Sequence, residues 1–160
     1  MSDGYNFVQL RDAILKMSRA TDWEIAKKEW ALTNVYEVDE PDTCQCGHYP
    51  IIEICGITNR VTGHSADVGN VCIKRFLGLR SDLIFAGLKR IRKDDAKALN
   101  ADAIAFFYER RVLTDWEYSF LQDTKRKLKP SPAQAAQRQR INRKVLAAVA
   151  KRGFRGPGAG

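Results

Sequence analysis

The sequence predicts an α+β fold, mostly helical, in which a β-hairpin and the helix after it sit among flanking helices and precede a basic C-terminal helix. Three observations predict it. Apolar residues recur at helical spacing through most of the 160-residue chain. One β-branched run, Ile51, Ile52, Ile54 and Ile57, interrupts that pattern and is followed by the turn residues Asn59 and Thr62-Gly63. All four cysteines, Cys44, Cys46, Cys55 and Cys72, lie within 29 residues around that run, together with both histidines, His48 and His64.

Phe7, Leu10, Ala13, Ile14 and Met17 give an amphipathic helix over about 5–18. The string TDWE at Thr21 predicts a capping box, with Thr21 and Glu24 each satisfying a backbone N–H of the other, and a helix through Trp30. Val35 to Val38 reads as a short extended segment, and Asp39 to Asp42 as a turn. After the isoleucine strand and its turn, Ser65–Val68 supplies the second strand of a hairpin. Asn70 is the expected N-cap of a helix carrying Val71, Cys72, Phe76 and Leu77.

From Ser81 onward the pattern is helical. Leu83, Ile84, Leu88 and Ile91 mark one helix, and Asn100 caps another with Ile104, Phe107 and Tyr108. Thr114 to Glu117 spells TDWE again, before Trp116, Phe120 and Leu121. Pro130 and Pro132 break the chain, and 133–149 forms a last helix rich in Ala, Gln and Arg. GFRGPGAG has the composition of a disordered terminus. The expected organisation is 1–42 helical, 43–80 the cysteine-bearing module, 81–129 helical, and 130–160 a basic helix with its tail; 5–129 is expected to be one compact domain.

The formal net charge is +8, and it is uneven. Eleven Lys and Arg and no acid lie between Thr124 and Gly160, so the rest sums to −3. Such a segment suits a polyanion, DNA or RNA, although a solubilising tail has the same composition. Charges at Asp3, Arg11, Asp12 and Lys16 interrupt any secretory apolar region, and no apolar stretch reaches the ~20 residues of a membrane span. We therefore expect a cytoplasmic protein, with reduced cysteines and no membrane partner.

Clustered reduced cysteines point to metal or to catalysis. Zinc takes four N or S donors in a tetrahedron, from a tight knuckle and a second element brought close to it. Cys44-Gln45-Cys46-Gly47 can form the knuckle, with Gly47 allowing the turn. Cys72, at a helix start, suits the opposite side because the helix N–H groups and dipole favour a thiolate. No H-x-E or H-E-x-x-H occurs, nor any phosphate-binding glycine loop or Ser-His-Asp set. A structural, closed zinc site is expected, with no enzymatic activity and no small-molecule substrate.

The residues Cys44, Cys46, Gly47, Pro50, Ile51, Glu53, Ile54, Cys55, Ile57, Asn59, Thr62, Gly63, Val68, Gly69, Asn70, Cys72, Ile73 and Phe76 form a pattern that resembles a small, mostly uncharacterised zinc-finger family of bacteria and their phages. The resemblance covers about 23–80, and Leu113 to Leu121 is also similar to phage-type sequences. It implies a treble-clef-like module, a knuckle, a hairpin and a helix whose first turn carries a ligand, holding Zn(2+) and taking part in DNA transactions. The knuckle here is C-x-C and the helix offers one cysteine, unlike the better-known treble clefs. The expected ligands are Cys44, Cys46, Cys55 and Cys72, with His48 as the substitute for Cys55; His64 is a weaker choice. Cys55 equally suits a small buried hydrophobe.

Nucleic-acid contacts are expected at Arg60 in the hairpin loop; at Lys74, Arg75 and Arg80 after Cys72; at Lys89 and Arg90; and at Lys125, Arg126, Lys127, Arg138, Arg140, Arg143 and Lys144. Ordinary helix-surface charge is the competing account of these cations. Most aromatic residues, Trp116 among them, fall at core spacing, and Tyr49 is the one placed to stack on a base. Two functions remain in view: a zinc-stabilised nucleic-acid-binding protein, with DNA favoured, and a zinc-finger adaptor or inhibitor that engages host replication, transcription or defence proteins.

Overall fold

The computed structural model describes residues 2–77 and 81–150, without the side chains of residues 2–5, 38–39 and 75–76. It is a mixed α+β structure with one small antiparallel sheet. The chain divides into two compact units, Met1–Ser81 and Asp82–Gly160, where the sequence suggests one compact domain over 5–129. Charge divides with them. The first unit carries nine Lys and Arg against eleven Asp and Glu, net −2; the second carries eighteen against eight, net +10.

In the first unit, α1 (Ser2–Lys16) buries Leu10 and Ile14 completely. The helix expected from Thr21 to Trp30 is much shorter: α2 spans Trp23–Ala26 and passes through a 3-10 turn, Lys27–Glu29, into the long strand β1, Trp30–Asp42. The expected capping box is absent. Asp22 rather than Thr21 caps α2, accepting from the Ile25 N–H, while Glu24 pairs with Lys27. Glu29 accounts for the early stop. Its carboxylate accepts the amides of Arg19 and Ala20 and the Asn59 side chain, which ties the turn to the sheet and holds its pKa below the ordinary range.

β1 runs antiparallel to β2 (Ile51–Asn59), which runs antiparallel to β3 (Ser65–Gly69), so β2 is central. Val35 and Val68 face Cys55 from either side, and Tyr36 and Gly69 flank Ile54. The centre of β2, Ile54 to Ile57, is buried throughout, which is why that run is continuous rather than alternating. The hairpin turn is built on Asn59, whose side-chain oxygen accepts the Val61 and Thr62 amides. Asn70 is not an N-cap: it is the first residue of α3 (Asn70–Cys72), preceded by Gly69, and π-helical turns continue from Ile73 to Leu77. Its amide side chain instead donates to Glu53 and accepts from the Ser81 hydroxyl.

The second unit is helical among its described residues: α4 (Asp82–Lys93), α5 (Ala101–Glu109), α6 (Asp115–Thr124) and α7 (Pro132–Ala150). Ile84, Leu88 and Ile91 of α4, Ile104 and Phe107 of α5, Leu121 of α6, and Ile141, Val145 and Val149 of α7 form its core. Asn100 caps α5, and Thr114 with Glu117 forms the full capping box of α6. Trp116 is a correction to the expected core: it is 56% exposed and stacks on Phe120 with 5.3 Å between ring centroids. No helix among the described residues is long and apolar enough to cross a membrane. The expected disordered tail, GFRGPGAG, lies outside the described residues.

Candidate metal centre

The knuckle is a tight turn closed twice by the backbone. The Gly47 amide donates to the Cys44 carbonyl at 2.8 Å, and the Cys44 amide donates to the His48 carbonyl at 2.9 Å. Gly47 makes this possible by adopting φ +89°, a left-handed conformation that costs a residue with a Cβ roughly 1–2 kcal/mol. The turn aims Cys44 and Cys46 at the end of the hairpin, where α3 begins and supplies Cys72. The sulfur atoms of Cys44, Cys46 and Cys72 all lie within 4.8 Å of one another, and all three side chains are buried.

Backbone amides are directed at these sulfurs. Gly69 donates to Cys44 Sγ at 3.2 Å, Cys46 donates to the same atom at 3.5 Å, and His48 donates to Cys46 Sγ at 3.4 Å. Such donors stabilise thiolate over thiol, as a metal site requires. The side-chain bond from Cys72 and the amides of Cys46 and Gly69 outweigh burial at Cys44 and bring it down to about 5. Burial pushes Cys46 up, and the adjoining Cys44 sulfur pushes Cys72 up, since three close sulfurs cannot all carry charge unaided. Cys46 and Cys72 sulfurs are 3.2 Å apart. A cation among them removes that repulsion, so the donor set fits a thiophilic metal.

The fourth expected ligand, Cys55, is not in the trio. Its place is inside the central strand between Val35 and Val68, whereas the knuckle packs at the strand end beside Ile51 and Gly69. Its thiol is fully buried and hydrogen-bonded to Ser81, and burial pushes it up to about 12, the surroundings of a small core side chain. His48 is exposed; its backbone shapes the knuckle while its ring stands outside the sulfur cluster. His64 is exposed on the hairpin, where its carbonyl accepts from Asn59.

A cleft of about 470 Å³ opens onto the trio and is also lined by Asn6, His48, Pro50, Ile52, Glu53 and Val71. Nothing in the sequence marks this cleft, or marks Gly69 as an amide donor to the Cys44 sulfur. A glycine two residues before the helix-borne Asn70-Val71-Cys72 segment's second residue is the available signal, because an amide without a flanking side chain can approach a sulfur closely.

The cations expected to meet nucleic acid fare unequally. On α7, Arg138 is 2% exposed and donates to the carbonyls of Thr124, Ala96 and Lys127. Arg140 and Lys144 both pair with Glu117, at 3.1 and 2.8 Å, and Arg143 pairs with Asp95 at 2.6 Å. Arg138 is thus committed to the packing of the second unit, whereas Arg140, Arg143 and Lys144 pair with carboxylates of the same unit and keep 53%, 68% and 42% of their side chains exposed. Lys125 and Lys127 bond Gln122 and Gln134. Arg60, Lys89, Arg90 and Arg126 are exposed, as is Lys74, which has a partner of its own. The Arg75 side chain and Arg80 lie outside the described residues.

No family model, curated protein or solved structure matches the chain.

Proposed function

We propose that the first unit binds one zinc ion through Cys44, Cys46 and Cys72, and that the protein is a non-enzymatic, zinc-dependent nucleic-acid-binding protein acting on DNA. The observation that carries the metal is the gathering of three buried sulfurs within 4.8 Å, two of them receiving backbone N–H bonds. Soft thiolates select zinc over the hard cations, and zinc bound there ties the knuckle to the start of α3. The order of knuckle, hairpin and ligand-bearing helix start supports the treble-clef-like description.

Nucleic-acid binding rests on charge and belongs to the second unit. Its net +10 includes exposed Lys89, Arg90, Arg126 and Lys129, which lie outside the ion pairs described above. Affinity for duplex DNA, measured by fluorescence anisotropy over a salt series, is expected to fall with a log-log slope of about −0.9 per phosphate neutralised. Absence of binding at low salt would refute this part of the proposal.

A second function is favoured by one observation. Tyr49, Ile52 and Val71 are 61%, 55% and 70% exposed beside the cysteine cluster, on a unit of net negative charge. That surface suits protein contact better than phosphate contact, as expected of an adaptor or inhibitor. Zinc-dependent binding of a protein partner, with no loss of affinity in high salt, would favour it.

A further inference from the structure

Structural zinc sites are closed by four protein donors, whereas sites that accept a ligand keep three and present the fourth position to a cavity. Here the sulfur cluster has three members among the described residues, and those residues include Cys55, both histidines and Glu53. The cluster forms part of the wall of the 470 Å³ cleft, within the roughly 300–1,000 Å³ of small-molecule sites. Apolar groups dominate the approach: Pro50 and Ile51 line it, and Ile52 and Val71 line it while remaining largely exposed.

We infer that the metal centre presents its fourth coordination position to this cleft and takes there a neutral nitrogen donor of the imidazole class, carried by a small ligand whose apolar body rests on Pro50, Ile52 and Val71. The inference rests on the metal assignment above. Charge selects the donor. Three thiolates around a divalent cation leave a net −1, and the Glu53 carboxylate lines the same cleft, so an anionic fourth donor meets repulsion that a neutral ring avoids. The amides that offset thiolate charge are directed at Cys44 and Cys46, already within the trio. Glu53 itself accepts from Asn70, which fixes it on the cleft wall.

Cobalt(II) loaded into the full chain reports donor number and exchange together. With imidazole as the probe, the visible bands of both the wild type and His48→Ala should shift saturably, while thiolate charge-transfer intensity stays at the level of three sulfurs. Replacing imidazole by 1-benzylimidazole should tighten binding at least about tenfold, a gain lost in Val71→Asp. Charge-transfer intensity of four thiolates in the wild type would overturn the inference in favour of Cys55. A wild-type spectrum indifferent to imidazole would also overturn it, and a response appearing only in His48→Ala would identify His48 as the closing ligand. Cobalt uptake without exchange sinks this inference alone; failure to take up cobalt sinks the metal assignment with it.

Discussion

The amide of Gly69 donates to the sulfur of Cys44 at 3.2 Å, across twenty-five residues of sequence. That bond joins the end of β3 to the knuckle, and α3 with Cys72 begins at the next residue. The sheet therefore sets where the third sulfur stands relative to the first two. Metal affinity should accordingly depend on hairpin geometry as well as on the cysteines.

Replacing Gly47 by Ala forces a side chain into φ +89° and brings its Cβ to 2.6 Å from the Gln9 amide oxygen. Gln9 is flexible and can withdraw, so the backbone conformation is the lasting cost, about 1–2 kcal/mol. Competition with a chelator should show metal affinity lowered by roughly 5- to 30-fold. Chemical denaturation of the metal-loaded protein should show a matching loss.

Glu117 is buried, closes the α6 capping box and receives Lys144 and Arg140 from α7. Burial alone would raise its pKa, but the Lys144 bond, the Thr114 amide and Arg140 outweigh it and hold the carboxyl below its ordinary value. A lowered folded pKa means the contribution is complete above the unfolded value near 4.3 and is lost as pH falls through the folded one. Glu117→Gln should cost about 2 kcal/mol at neutral pH, and the difference from wild type should shrink below about pH 4. Paired denaturant titrations from pH 3 to 8 check this; a constant difference across that range would refute it.

Cations on the second unit should separate into two groups. Arg138→Gln removes buried bonds to the Thr124, Ala96 and Lys127 carbonyls and should lower stability by about 2–3 kcal/mol at any salt concentration. A Lys89→Gln, Arg90→Gln, Arg126→Gln triple variant should keep its melting temperature within a few degrees and reduce the salt slope of DNA binding by about 2–3. Calorimetry and anisotropy on the same samples distinguish the groups.

The two TDWE strings show how far local sequence carries. At Thr114 the capping box forms as the four residues dictate. At Thr21 the same four residues precede a segment that pairs with β2 from Trp30 onward, so tertiary pairing and the Glu29 bonds end the helix within two turns. The hairpin, the Asn100 cap and the last helix were legible because their signals are local. Cys55 was not: as a residue type it is an equally good ligand or core side chain, and only the folded chain shows it on the central strand, outside the sulfur trio. Residue type likewise cannot separate Arg138, which is buried against carbonyls, from Arg126, which faces solvent.

Metal content of the purified full chain reads out whether Cys44, Cys46 and Cys72 hold a metal ion. Inductively coupled plasma mass spectrometry should find about one zinc per chain in the wild type and in Cys55→Ser, and much less in Cys44→Ser, Cys46→Ser and Cys72→Ser. Zinc absent from the wild type, or retained equally by all four variants, would rule out a metal held by Cys44, Cys46 and Cys72.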